Sequence, residues 1–217
     1  VVAIDGPAGS GKSTIADRVA EALGVQHVDT GALYRAVTLA CLRTGVDLHD
    51  PDACGDVAAT VVISREEGRT FLDGEDVEDE IRGEEVTTAV STVAAHQPVR
   101  EAMTPVQQAA AARGGVVEGR DIGTVVLPDA DLKVFLTASA EERARRRAEQ
   151  LGVPVSDELV GDIRRRDEAD TNRAAAPLTR APDAWELDTT DLTIDEVAAH
   201  IAERARAAVD PAAARRA

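Results

Sequence analysis

Residues 6–13 read Gly6-Pro7-Ala8-Gly9-Ser10-Gly11-Lys12-Ser13, which satisfies G-x-x-x-x-G-K-[ST] at every fixed position, and Thr14 adds a second hydroxyl. Glycines at this spacing let successive backbone N–H groups turn inward onto one anion, and the helix that follows would aim its positive end at the same place. Lys12 is then set to reach the β- and γ-phosphates of a bound ATP, and Ser13 to offer its hydroxyl to Mg²⁺. The glycines at 6, 9 and 11 do not follow G-x-G-x-x-G, so a dinucleotide fingerprint is excluded. A phosphate loop alone does not separate a phosphotransferase from a switch or a motor. Asp52 to Gly55 matches D-x-x-G but lies in a Pro- and Asp-rich stretch, N-K-x-D is missing, and Val116-Val117-Glu118 is too short for a Walker-B strand. A phosphoryl transferase is favoured; an ATP-binding regulatory switch is the alternative from another class.

The acceptor must be sought among the other polar residues. Asp29-Thr30-Gly31 with Tyr34-Arg35 follows one apolar stretch, and Glu118-Gly119-Arg120-Asp121 follows another. If both stretches are parallel strands, their carboxyl ends share the edge where ligands bind. Asp29-Thr30 reads equally well as a plain helix N-cap. The sequence also concentrates arginine: Arg143, Arg145, Arg146 and Arg147 in one segment, and Arg166, Asp170 and Arg173 at i, i+4, i+7 spacing, which predicts a shared helical face. Arg143, Arg145 and Arg164 are assigned to a solvated, ion-paired face. Arg146, Arg147, Arg166 and Arg173 are assigned to a mobile lid that brings guanidinium groups to a transferring phosphoryl. Such an inventory suits a phosphate monoester acceptor: with a second pKa of about 6 it is already dianionic at neutral pH and needs no general base. Another small-molecule P-loop kinase, with a different monophosphate or a hydroxyl as acceptor, is the runner-up.

The elements that must hold these groups alternate. Val1 to Asp5 reads as a strand, Ser13 to Leu23 as a helix with Ile15, Val19 and Leu23 on one face, Val25 to Asp29 as a strand, and Gly31 to Arg43 as a helix. Val61 to Ser64 and Arg69 to Leu72 form a small antiparallel pair. Helices over Glu84 to Ala95 and Pro98 to Arg113, and strands at Val116 to Glu118 and Leu132 to Thr137, follow. Ser139 and Glu142 have capping-box spacing, Ser156 caps a further helix towards Arg173, and Gly152 to Val155 is a hinge or loop between the two. Glu186 to Asp188 and Ile194 to Ala208 complete the alternation, and a frayed tail is expected from Asp210. The fold class is α/β, a three-layer P-loop core around a parallel sheet with a small antiparallel insert and a short helical lid.

Composition narrows the partners. Across 217 residues the formal net charge is −16 and aromatic residues are 2%, which excludes an electrostatic grip on a polynucleotide and leaves few stacking platforms. No apolar run spans a bilayer, so a cytoplasmic protein with no membrane partner is expected. Cys41, Cys54 and the four histidines lack metal-ligand spacing.

In order and spacing, Gly6 to Thr14, Asp29 to Arg35, Gly119-Arg120-Asp121-Ile122-Gly123-Thr124-Val125-Val126 and Arg166-Asp167 through Asn172-Arg173 resemble the motifs of bacterial cytidylate kinases, over nearly the whole chain. Leu72 to Val77 with Ile81-Arg82 is similar to the extended monophosphate-binding insert of those enzymes. The resemblance implies phosphorylation of CMP and dCMP with ATP and Mg²⁺; a monomer is expected separately, because no long apolar helix face is left without an intramolecular use. It implies a core over about 1–49, 83–150 and 174–217, a monophosphate-binding insert at about 50–82 and a lid at about 151–173. It further implies that Ser91, Arg100 and Asp121 read cytosine, that Arg35, Arg120 and Arg173 hold the acceptor phosphate in a pocket lined by Thr30 and Tyr34, and that Asp170 meets the sugar hydroxyls. Lys12, Arg120, Arg166 and Arg173 would be catalytic, and Gly6 to Thr14 with Arg146 and Arg147 would bind ATP.

Overall fold

The computed structural model describes residues 1–209; the tail expected from Asp210 lies outside them. In chain order the elements are β1 (Val2–Asp5), α1 (Lys12–Leu23), β2 (His27–Asp29), α2 (Thr30–Thr44), α3 (Pro51–Thr60), β3 (Ile63–Glu66), β4 (Arg69–Leu72) and β5 (Glu75–Asp76). After a single 3₁₀ turn at Glu80–Arg82 come α4 (Glu84–Val93), α5 (Gln97–Ala111), β6 (Val116–Gly119), a π-helical turn at Ile122–Val126, β7 (Leu132–Thr137), α6 (Ala140–Leu151), α7 (Asp157–Asn172), β8 (Trp185–Asp188) and α8 (Ile194–Val209). The chain forms two compact units. One comprises residues 1–28, 111–172 and those from Ala176 onward; the other comprises Asp29–Ala110 with Arg173–Ala175.

The first unit is built on a five-stranded sheet in the order β2-β6-β1-β7-β8. β1 pairs in parallel with β6, Val2 facing Val116 and Asp5 facing Gly119, and with β7, Val2 facing Leu132 and Asp5 facing Phe135. β7 pairs in parallel with β8. Strands covered on both faces need continuous apolar sequence, and all four residues of β1 are buried. Val2, Ile4, Val134 and Leu136 from the sheet pack with Ile15 and Val19 of α1 and Val197 and Ile201 of α8. Because the chain proceeds to opposite sides of β1, the carboxyl end of β1 is the switch point of the sheet, and the loop of residues 6–11 begins there. Gly6 is fixed by close approach: a Cβ there would lie 2.5 Å from the Leu136 carbonyl oxygen.

Helix starts differ in kind. Asp29 caps α2 by accepting from Ala32 N, Asp50 caps α3 by accepting from Asp52 N and Ala53 N, and Ser139 caps α6 by accepting from Glu142 N. By contrast, α1 starts at Gly11 with no side-chain cap and no acidic residue in its first turn.

The second unit has two apolar clusters. Tyr34, Val37 and Cys41 of α2 pack with Cys54, Ala58, Val90, Val93, Val99 and Met103, while Ala36, Leu39 and Ala40 pack with Leu72, Val77, Ile81 and Val86. Its sheet is antiparallel in the order β3-β4-β5, with Ile63 facing Leu72 and Phe71 facing Asp76. α3 is an element the sequence reading did not assign, having described the residues around Asp52 only as a Pro- and Asp-rich stretch. Pro at the first helical position and Asp at the cap start a helix as readily as they make a turn, and burial of Cys54 and Ala58 decides the matter.

Candidate active site

At the switch point of the first unit, Lys12 is buried at the start of α1, its Nζ donating to Pro7 O at 2.8 Å and to Ser10 Oγ at 3.4 Å. Burial pulls its ammonium down to about 7 and Arg120 pushes the same way, against Glu118, Asp170 and Asp5. Ser13 and Thr14 are exposed on the first turn.

Asp5 closes β1, and its two carboxylate oxygens accept from Ile122 N and Gly123 N, each at 2.8 Å. Burial raises this carboxyl to about 6; the bonds from Gly123 and Ile122 oppose the rise, and Asp121 adds to it. These N–H groups open the π-helical turn, in which Leu127 N reaches Ile122 O at 2.7 Å. Asp5 thereby fixes the backbone directly after Arg120 and Asp121. Asp121 is buried, and Arg120 Nε donates to Asp170 Oδ2 at 2.8 Å. The Arg166 guanidinium belongs to the same group: burial lowers its proton affinity, and Arg120 lowers it further. Glu118, also buried, has Oε1 3.2 Å from His27 Nε2.

The arginines of α6 divide by function. Arg146 donates to Glu142 Oε1 at 2.8 Å and to Thr189 Oγ1 at 3.0 Å, and its Nη1 approaches within 4.0 Å of a Cβ built on Gly11. Arg147 donates to Gln150 Oε1 at 2.8 Å. Arg145 and Arg164 are exposed and ion-paired as expected, Arg145 to Glu142 and Glu149 and Arg164 to Glu141. Arg143 corrects the expectation of a solvated face, because it is 6% exposed and donates to the Ala8 carbonyl of the phosphate loop. A second correction concerns Arg173. α7 ends at Asn172, so Arg173 does not continue the face of Arg166 and Asp170, and it belongs to the second unit.

In the second unit Asp29 is the centre of a compact charge cluster. Its Oδ1 caps α2, while its Oδ2 lies 3.4 Å from Arg65 Nη1 and 3.1 Å from Arg82 Nη2. Burial alone would raise this carboxyl, but Arg82 and then Arg65 hold it below the ordinary aspartate value. The N-cap alternative for Asp29 is therefore true, alongside two ion pairs. Thr30 is buried beside it. Arg35 Nη1 donates to Ile81 O at 3.0 Å and to Thr87 Oγ1 at 2.9 Å. Arg100 is buried, donates to Ala94 O at 3.1 Å and stands 5.4 Å from the centroid of the Tyr34 ring. Ser91 is half-buried on α4.

The first unit thus contains residues 6–14, Arg120, Asp121, Arg146, Arg147, Arg166 and Asp170, and the second contains Thr30, Tyr34, Arg35, Ser91, Arg100 and Arg173. Sequence reasoning gave no role to Asp5 or Arg65, named Glu118, Arg82 and Asp167 only within motifs, and placed Arg143 on a solvated face. For Asp5 the signal was available: a carboxylate ending a wholly apolar strand must find backbone donors or a charge. Among the described residues, no cluster of three or more His, Cys, Asp and Glu side chains is placed to hold a metal. A lone Ser13 hydroxyl fits a Mg²⁺ that arrives on substrate phosphates, since such ions keep most of their ligands as phosphate and water.

Comparison with known proteins adds a family. The model described as cytidylate kinase matches residues 2–207. A cytidylate kinase of Geobacillus thermodenitrificans (strain NG80-2) is 52% identical over 211 residues, covering 93% of this chain and 94% of that one. A cytidylate kinase of Mycobacterium avium (strain 104) is 50% identical over 216 residues, covering 95% of each. Among solved structures, an uncharacterized protein from Eubacterium ventriosum ATCC 27560 shares the fold with a TM-score of 0.53, at 13% identity and covering 95% of this chain and 97% of that one.

Proposed function

The chain belongs to the cytidylate kinase family, and from that premise we propose that it transfers the γ-phosphoryl group of ATP to CMP or dCMP, releasing ADP and the pyrimidine diphosphate. Lys12 carries the reading: a buried ammonium whose proton affinity is lowered by burial and by Arg120 is a cation that a polyphosphate would restore to full charge.

The backbone of residues 6–14 cradles the triphosphate, with Lys12 at its β- and γ-oxygens, and Arg146 and Arg147 assist at the nucleotide. Ser13 would hold Mg²⁺ together with the substrate phosphates, and the ion would supply charge neutralisation to the triphosphate. Arg120, Arg166 and Arg173 draw two mutually repelling anions together, with Arg35 steadying the acceptor phosphate beside Thr30 and Tyr34. An oxygen of the acceptor monophosphate then bonds to the γ-phosphorus as its bond to the β-bridging oxygen breaks, and the electron pair leaves with ADP. Asp121, Arg100 and Ser91 read cytosine, and Asp170 meets the sugar hydroxyls. The insert at about 50–82 carries the acceptor, and the segment at about 151–173 acts as the lid. We read the protein as a cytoplasmic monomer working on free nucleotides, without polynucleotide or membrane partners; among the described residues no helix is long and apolar enough to cross a membrane.

An ADP-coupled assay over CMP, dCMP, UMP and a panel of hydroxyl acceptors tests this. ADP release should depend on CMP or dCMP; release at the same rate without acceptor would replace the reading with that of a switch.

A further inference from the structure

Arg143 gathers three segments of the first unit onto one guanidinium. Its Nε donates to Ala138 O at 3.0 Å, just past β7. Its Nη1 donates at 2.9 Å both to Ala8 O in the phosphate loop and to Asp167 Oδ1 on α7. Its Nη2 lies 2.6 Å from Asp167 Oδ2. The loop approaches so closely that a Cβ on Gly9, whose φ is +74°, would stand 3.2 Å from both the Cβ and the carbonyl oxygen of Arg143.

We propose that Arg143 and Asp167 form a positioning pair for the triphosphate, resting on the reading of residues 6–14 as an ATP loop. Arg143 sets the direction of the Ala8–Gly9 peptide, and Asp167 ties α7 to that peptide. In a trans peptide the C=O and N–H point opposite ways. With the Ala8 carbonyl drawn to a buried cation, the Gly9 N–H is directed to the other side, where it donates to the anion. Turned over, the same peptide would present its carbonyl to phosphate and repel it. The forked contact with Asp167 matches the charge of Arg143, so this arginine orients the loop rather than binding phosphate itself. Asp167 follows Arg166 by one residue and precedes Asp170 by three, so the pair also fixes the register of Asp170, which accepts from Arg120 Nε, and of Arg166, which Arg120 repels. An apolar residue would fill the space but leave the Ala8 carbonyl unheld, and only a planar fork serves both partners at once.

The test compares Arg143→Met, Arg143→Lys and Asp167→Asn with wild type by ATP titration calorimetry, by separate KM values for ATP and CMP, and by thermal midpoint. Arg143→Met should weaken ATP binding about tenfold or more while the KM for CMP moves less than about twofold, the scale of one lost charge-assisted bond. Arg143→Lys should recover part of that loss, since an ammonium can still hold the Ala8 carbonyl. Asp167→Asn, which keeps the Ala8 contact, should lower kcat more than it weakens ATP binding. Equal changes in both KM values, or a fall in thermal midpoint with ATP affinity intact, would reduce the pair to a packing element and overturn the proposal. If Arg143→Met does not fold, Arg143→Lys and Asp167→Asn carry the same decision. Calorimetry needs no acceptor, so wild type that binds ATP without phosphorylating CMP would count against the proposed function and leave this test standing.

Discussion

The two units handle positive charge in opposite ways. Around the phosphate loop, Lys12 is buried and Arg166 half-buried, and desolvation and repulsion from Arg120 lower the proton affinity of both. In the second unit Arg65 and Arg82 converge on Asp29, and their charge is met by a carboxylate that the same cations hold ionised. A cluster of under-matched cations is costly to the fold and strong in binding, whereas a matched cluster supports the fold and contributes less to any anion that enters. The first unit should accordingly lose chemistry when its cations are removed, and the second should lose stability when its carboxylate is removed.

Lys12→Ala should show the largest effect, a fall in turnover on the order of 10²–10³-fold with the thermal midpoint held or raised, because the charge acts on the transferring phosphoryl and not on the fold. Near-normal turnover would remove Lys12 from the reaction and break the contrast at its strongest point. Arg120→Ala and Arg173→Ala should each lower kcat/KM roughly 10–100-fold for every nucleotide acceptor alike, the loss expected for a phosphate contact. A change confined to one base would reassign either residue.

Asp121 sharpens the comparison, since it is a buried carboxylate in the same unit as Lys12, Arg120 and Arg166. An ionised carboxylate accepts from the exocyclic amine of cytosine and is mismatched to the uracil carbonyl, so Asp121→Ala should narrow the CMP-to-UMP efficiency ratio by about 1–3 kcal/mol. Equal losses with both bases would mean that Asp121 serves only its neighbours.

Proton uptake probes the under-matched cluster directly. With its pKa near 7, Lys12 is largely neutral at pH 8 in the free protein and becomes charged against a triphosphate, so ATP binding at pH 8 should take up a proton fraction that fades by pH 6. Titration calorimetry in two buffers of different ionisation enthalpy measures it; no uptake at pH 8 contradicts a depressed Lys12. The smallest effect belongs to Asp29→Asn. Its folded pKa is below the unfolded value, so its contribution is present above about pH 4 and is lost as pH falls through the folded pKa. The variant should lose about 1 kcal/mol at pH 7, discounted because Arg82 is half open to solvent. The gap should close in acid, and an undiminished gap at pH 3 would point to packing.

Legibility followed locality. The phosphate loop is a run of adjacent residues and was plain, although α1 begins at Lys12, one residue before the helix start read from sequence; Leu132 to Thr137 is an uninterrupted strand and was read with the bounds the structure shows. The capping of α6 by Ser139 lies within four residues and was equally plain. Asp5 and Ile122 are partners 117 residues apart, and Arg143 and Ala8 are 135 apart, so no spacing rule reaches either pair. Arg143 shares its surroundings in sequence with Arg145, which is exposed; only the approach of the loop separates the buried one from the solvated one. The helix read as running towards Arg173 ends one residue earlier, at Asn172.

The uncapped start of α1 has a consequence for the life of the chain as well as for its chemistry. A helix whose first N–H groups have no side-chain acceptor gains its missing partner from the anion it serves, so ligand and fold share one equilibrium. At a triphosphate concentration a hundred times the dissociation constant, that sharing adds about 2.7 kcal/mol to folding. If residues 6–14 hold a triphosphate, plentiful nucleotide would protect the folded population from proteases and depleted nucleotide would leave it more open to them.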